Sequence, residues 1–177
     1  MPIIPNEENP ADQQRRRYTI LEILIMLFVI GLVAVFAGVA VNAARSRQRD
    51  ATRLSDVRQV QSALEDYFGT ANSYPVGSQL PLGDSALASC LGSSGFKGDC
   101  SGDATIFLRA VHPTTNTGLN GLVACGTPLR NAFCYSQLQT GATYAIQFEL
   151  ENALPEAGLA KGTDCATPSG MTAGVCH

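Results

Sequence analysis

The chain has 177 residues, of which 12 are Lys or Arg and 15 are Asp or Glu, giving a formal net charge of -3 and a pI near 5.3. No basic stripe lies outside the region around the first apolar run, so the composition argues against a nucleic-acid-binding domain. The length has room for one compact domain and a membrane helix, and it argues against two independent cores.

Residues 1–17 are rich in Pro, Glu and Gln and end in three arginines. Because this segment has little that a core could bury, we expect a flexible leader. A full-length apolar run follows the arginines, and no small-residue cleavage site ends that run. An ordinary signal peptidase is therefore expected to leave the apolar segment attached.

The apolar run carries no charge from Ile23 to Val41, and the first charge after Glu22 is Arg45. About 20 such residues can cross a bilayer as a helix, so we predict a membrane-spanning helix over residues 18–44. Glu22 lies at its start, where an unpaired carboxylate next to lipid costs about 3 kcal/mol. We expect this carboxylate either to find a cationic partner or to reach the lipid headgroups.

The orientation of the helix cannot be decided from arginines, because three precede it and five follow within residues 45–58. The cysteines are more informative. All six lie after the helix, at positions 90, 100, 125, 134, 165 and 176, and an even number on one side indicates an oxidising compartment. We therefore predict that the C-terminal domain lies outside the cytoplasm.

Helical periodicity continues after the membrane segment. Apolar positions recur at three- and four-residue intervals, at Leu54, Val57, Val60 or Gln61, and Leu64. The charged residues that accompany them, among them Arg53 and Arg58, are expected to face water. We predict an amphipathic helix over residues 45–69 that ends near Gly69, followed by a turn over residues 72–75.

Residues 70–177 are predicted to form a globular head on this helix. We expect a long surface loop over 76–102, a short helix or strand over 104–111, and a β-hairpin made of 132–138 and 143–150. Tyr144, Ile146, Phe148 and Leu150 alternate with small or polar residues and should face the core. Residues 121–125 are a candidate for a third strand, and 155–177 form a Gly-, Pro- and Thr-rich tail. The predicted fold class is α+β, with a long N-terminal helix packed on a small antiparallel sheet.

Six cysteines allow fifteen pairings, and their order makes neighbouring pairs the simplest: Cys90 with Cys100, Cys125 with Cys134, and Cys165 with Cys176. In the loop-entropy description, each such bridge contributes roughly 2–3 kcal/mol. A zinc site is the weaker alternative, because no Cys-x-x-Cys occurs.

The sequence shows no arrangement typical of catalysis. His112 and His177 are isolated, and neither a phosphate-binding glycine loop nor a nucleophile motif is present, so we predict that the protein is not an enzyme and needs no cofactor. Calcium at Asp99 and Asp103 is a secondary hypothesis, because hard cations take oxygen ligands from loops, although the spacing is not that of an EF-hand.

The start of the apolar run is Tyr18-Thr19-Ile20-Leu21-Glu22. An aromatic residue, Thr, two aliphatic residues and Glu before an apolar helix closely resemble the N-terminal signature of type IV pilins and type II secretion pseudopilins. The resemblance extends along the helix to Phe68 and to the turn Asn72-Ser73-Tyr74-Pro75, similar to that of major pseudopilins. It is weaker in the hairpin and does not cover the cysteine loops.

This resemblance implies that a prepilin peptidase cuts between Arg17 and Tyr18 and methylates the new amine of Tyr18. It also implies that Glu22 pairs with such an amine as subunits assemble. The family normally has glycine, sometimes alanine, before the cut, and this chain has Arg17. If the leader stayed attached, Glu22 would need another cationic partner.

The function implied is that of a pilus or pseudopilus subunit, held in the cytoplasmic membrane by one helix and then assembled into a surface filament. Its expected partners are copies of itself, prepilin peptidase, the pilus or type II secretion assembly machinery, and membrane lipid, with nucleic acid only for a DNA-uptake pilus. The alternative is a non-polymerising extracellular binding protein that uses the helix as an anchor. Motility, adhesion, DNA uptake and secretion are not distinguished by the sequence.

Overall fold

A computed structural model describes residues 19–177. It begins with one helix, α1 (Ile20–Ala71). Ten short strands follow: β1 (Leu80–Leu82), β2 (Cys90–Gly92), β3 (Gly95–Lys97), β4 (Ile106–Leu108), β5 (Ala124–Cys125), β6 (Arg130–Asn131), β7 (Phe133–Leu138), β8 (Thr143–Leu150), β9 (Gly162–Thr167) and β10 (Gly170–Ala173). The predicted α+β class is confirmed. The chain divides into two compact units, one up to Asn42 and one from Ala43 to His177.

The described part of the first unit is helical and apolar. Its large aliphatic and aromatic side chains, from Ile20 to Val41, each leave at least 43% of their surface uncovered. The helix is long and apolar enough to cross a membrane, as the sequence predicts. An apolar surface of this extent needs lipid or protein against it, because water does not stabilise it.

In the second unit, the rest of α1 packs on the largest sheet. Val57, Val60 and Leu64 are almost completely buried and form one core with Tyr135 and Ile146 of the sheet. This confirms the predicted apolar face of the helix. Arg53 was expected on the water-facing side, and that expectation is wrong, because its side chain is 2% exposed.

The helix ends two residues beyond the predicted position. Asn72, with a φ of 52°, takes the left-handed conformation after α1, and its backbone N–H donates to the Phe68 carbonyl at 2.8 Å. Asparagine is one of the few non-glycine residues that adopt this conformation readily. Asn72, and not Gly69, therefore terminates the helix.

The largest sheet has five antiparallel strands in the order β1-β7-β8-β9-β10. The predicted hairpin is present as β7 and β8, with Tyr135 opposite Ile146. The predicted core positions 144, 146, 148 and 150 are buried. Ala145 and Glu149, on the opposite face of β8, are also buried, because residues of the C-terminus and of the 120–122 segment lie against that face.

Two segments that were predicted to lack strands contain them. The 76–102 segment contributes β1 to the large sheet and β2 and β3 to a smaller sheet of order β3-β2-β4, where β4 resolves the helix-or-strand alternative. The C-terminal tail supplies β9 and β10. The strand predicted at 121–125 is present only as the two residues of β5, which pair with β6. Most of these strands have two to four residues, and β9 and β10 are rich in Gly and Thr, so they show little side-chain alternation.

The cysteines form the three neighbouring pairs that their order suggested, Cys90–Cys100, Cys125–Cys134 and Cys165–Cys176. The Cys90–Cys100 bridge links β2 to the turn that follows β3. The second links β5 to β7, and the third holds the C-terminus on β9. All three stabilise segments that have few buried apolar side chains of their own.

Candidate functional site

Glu22 lies in the first turn of α1, and Thr19 caps the start of this helix. The Thr19 hydroxyl accepts a hydrogen bond from the Glu22 backbone N–H at 3.3 Å. Thr19 at the N-cap and Glu22 three residues later have the spacing of a capping box, in which the acid also favours the positive end of the helix. This spacing is readable in the sequence alone.

No ion pair among residues 19–177 involves Glu22. The proposed cleavage and methylation positions, Arg17 and Tyr18, lie outside the described residues. Among the described residues, the Glu22 carboxylate is therefore placed to cap the start of the helix, but no cation neutralises its charge.

A second group of charges, which the sequence analysis missed, lies inside the head. We call it the buried charge cluster and define it as Arg49, Asp50, Arg53 and Glu151. Arg53 Nη1 donates to Asp50 Oδ1 at 2.8 Å and to Glu151 Oε1 at 2.7 Å. Arg49 donates to both oxygens of Glu151 at 2.6 Å, a two-pronged contact that guanidinium geometry favours. The cluster joins α1 to the end of β8.

Asp50 uses its carboxylate to hold the chain immediately after β8. Its oxygens accept from the backbone N–H groups of Glu151 and Asn152, both at 2.9 Å, and from the Asn152 side-chain amide at 2.8 Å. The donors around Asp50 thus replace the water that burial has removed. This carboxylate is occupied by protein groups and has no free position for a substrate.

The segment from residue 112 to 123, which we call the strap, is fixed by two buried side chains. Arg53 Nη2 donates to the carbonyls of Thr115 and Thr117 at 2.8 and 2.7 Å. Glu149 accepts from the backbone N–H groups of residues 120, 121 and 122 at 2.6 to 3.0 Å. Two carbonyls and three N–H groups of a segment without helix or strand are thereby satisfied by one guanidinium and one carboxylate.

The donors around Glu151 lower the pKa of its carboxyl, chiefly through the Arg49 hydrogen bond and then through Arg53, against the opposing effect of burial. The ionised Glu151 carboxylate stabilises the folded head at any pH above the ordinary pKa of the group, near 4.5. This stabilisation is lost as the pH falls through the lowered pKa of the folded state. The cluster is therefore intact at neutral pH and is a structural element of the head rather than an acid–base pair.

Asp164, on β9, is a buried acid that lies outside the buried charge cluster and forms no ion pair among the described residues. It is fully buried, one oxygen accepts from the Ala160 N–H at 2.9 Å, and the other has no hydrogen-bond partner among the described residues. Burial raises the pKa of this carboxyl, the Ala160 N–H lowers it, and the charge of Asp50 raises it further, with a net increase. A raised pKa means that ionised Asp164 weakens the fold at neutral pH.

We expect Asp164→Asn to raise the free energy of unfolding at pH 7 by about 1 kcal/mol, because the amide keeps the acceptor for Ala160 and removes a buried charge. The advantage should shrink as the pH falls towards 3.8, where the aspartate is itself neutral. Urea unfolding of the full chain in detergent, followed by near-ultraviolet circular dichroism, measures this. Asp103→Asn is the matched control with the opposite sign, because the Lys97 and Ser94 hydrogen bonds lower the pKa of Asp103. A destabilised Asp164→Asn variant would contradict the prediction.

Asp99 and Asp103, the residues of the calcium hypothesis, accept hydrogen bonds from protein groups. Asp103 binds Lys97 at 2.5 Å and Ser94 at 2.9 Å, whereas Asp99 binds the backbone and hydroxyl of Ser101. His112 contacts Asp56 at 3.1 Å. In residues 19–177 no three His, Cys, Asp or Glu side chains lie together as metal ligands would.

No family model, curated protein or solved structure matches this chain.

Proposed function

We propose that this protein is the structural subunit of a filament of the type IV pilus or pseudopilus class. The supporting observation is that one helix, α1, has an exposed apolar segment with an acid in its first turn and then continues as the core helix of a disulfide-bonded head. A simple membrane anchor needs the apolar segment but neither the acid nor a continuous helix.

The charge in the first turn supports polymerisation over simple anchoring. Glu22 has no cationic partner among the described residues, and an amine at the N-terminus of a neighbouring copy would supply one. In a low-dielectric bundle of helices, such a pair sets the axial register of the subunits, because any other offset leaves two charges unpaired.

The apolar segment also suits exchange between membrane and filament. Its side chains can pack against lipid or against equivalent helices with little difference in free energy, because both surroundings are apolar. We therefore place the unassembled protein in the cytoplasmic membrane, with the head outside, and the assembled protein in a surface filament.

The test is to shear cells that express the full chain, collect the filaments and determine the N-terminal mass of the subunit. We expect a polymer of this chain whose first residue is a methylated Tyr18. Filaments that begin at Met1 would retain polymerisation and contradict cleavage after Arg17. Finding only monomer in the membrane would contradict the filament proposal and support the anchored binding protein.

A further inference from the structure

The strongest unassigned feature of the head is a groove of about 800 Å³ between α1 and the segment that follows β8. Apolar and charged residues both line it. The apolar ones include Ala51, Leu54, Leu154, Pro155 and Ala157, and the charged ones outside the buried charge cluster are Arg47, Glu156 and Lys161. An open groove that combines apolar and charged residues is typical of a protein-binding surface.

The end of the head that carries the groove is basic. Arg45 and Arg47 are exposed on α1 and belong to no ion pair among the described residues, as is also true of Lys161. Arg49 and Arg53 are neutralised within the buried charge cluster. Among the lining residues outside the buried charge cluster, the charges are thus two cations, Arg47 and Lys161, and one anion, Glu156.

The opposite end of the head is acidic and carries an exposed apolar residue. Between Arg58 and Lys97 the chain has no Lys or Arg, and Glu65 and Asp66 are exposed on the last turns of α1. Asp66 lies about 28 Å along the helix axis from Arg47, at 1.5 Å per residue. Val76, just after the helix, is 86% exposed.

The loop that bears Val76 is rigid at its base. The Tyr74 ring packs on Phe68 and Tyr144 with centroid distances of 4.7 Å, and the Tyr74 carbonyl accepts from Gln137 at 2.6 Å. The Gly77 carbonyl accepts from the Gln137 backbone N–H at 2.8 Å. A fixed loop with an exposed valine is a preorganised protrusion, which binds with a smaller loss of conformational entropy.

We propose that the groove binds the Val76 loop of a second copy of this chain, with Asp66 of that copy next to Lys161 and Arg47. The proposal rests on the proposed function and names a contact between neighbouring heads. The two surfaces lie at opposite ends of one head and differ in shape and charge, so their contact is heterologous. Such a contact repeats from copy to copy and produces an open filament unless the rotation closes a ring.

Cysteine cross-linking tests the contact in assembled filaments of the full chain. We expect Val76→Cys combined with Ala157→Cys to give a ladder of disulfide-linked multimers on a non-reducing gel, whereas either single variant gives none. All six native cysteines are paired within the chain, so they do not compete. Leu129→Cys with Ala157→Cys is the matched control, because Leu129 is also an exposed apolar residue.

A charge exchange tests the same contact independently. Lys161→Glu should reduce the yield of sheared filaments at least tenfold, and adding Asp66→Lys should restore it. Normal filaments without a cross-link, and with no effect of Lys161→Glu, would overturn the contact and leave the proposed function standing. A groove occupied by lipid headgroups or by another protein would give that result. Absence of filaments from the unmodified chain would overturn both proposals.

Discussion

Replacing Arg53 with methionine should lower the free energy of unfolding of the head by about 3–5 kcal/mol. Methionine has a similar length and packs well in apolar surroundings, but it donates no hydrogen bonds. Asp50 would lose its cation, Glu151 would keep only Arg49, and the carbonyls of Thr115 and Thr117 would lose their donor. The cost comes mainly from buried acceptors left without partners rather than from the lost attraction.

The measurement is urea unfolding of the full chain in detergent, followed by the near-ultraviolet circular dichroism of its tyrosines. Arg58→Met is the matched control, because Arg58 is exposed on the same helix and should change stability by less than about 0.5 kcal/mol. Arg53→Lys should be intermediate, because an ammonium keeps the charge without the planar fork. Equal stability of the Arg53→Met and Arg58→Met variants would show that the cluster adds no net stability.

The strap provides a local readout of the same substitution. Because Arg53 holds two of its carbonyls, Arg53→Met should increase amide hydrogen exchange most strongly within residues 112–123. The contact of Glu149 with residues 120–122 remains in the variant, so the loss of protection should be larger at the start of the strap than at its end.

The parts of the fold that periodicity encodes could be predicted from the sequence. Val57 and Leu64 in α1 and Tyr144 and Phe148 in β8 repeat at the intervals of a helix and a strand, and both elements lie where they were expected. The strands β9 and β10 could not be predicted in this way. Their Gly- and Thr-rich sequence has no clear alternation, and backbone pairing with β8 fixes their register.

The buried charge cluster was unpredictable for a different reason. Arg53 lies at the edge of the apolar face of α1, where a helical pattern allows either burial or exposure, and arginine is usually exposed. Glu151, the acid that pairs with Arg53 from the end of β8, is 98 positions away along the chain. Only the Asp50–Arg53 spacing is local enough to suggest a pair, and it does not reveal burial.

Glu22→Gln should abolish filament assembly while leaving the amount of protein in the membrane unchanged. Glutamine retains the size and hydrogen-bonding groups of glutamate but has no charge, so it cannot neutralise the amine of a neighbouring subunit. We expect a loss of at least tenfold in sheared filaments for both Glu22→Gln and Glu22→Ala. Immunoblots of the sheared and membrane fractions measure assembly and expression separately.

The glutamine variant also separates pairing between copies from helix capping, the local role that the spacing of Thr19 and Glu22 makes available. Glutamine serves as well as glutamate at the third position of a capping box. If capping were the essential role, Glu22→Gln would assemble normally and Thr19→Ala, which removes the cap without touching the charge, would not. If pairing between copies is essential, Thr19→Ala assembles and Glu22→Gln does not. The latter pattern is the expected one, because the cap contributes about 1 kcal/mol to a helix that its surroundings already stabilise, whereas an unpaired charge at a helix interface costs several times more.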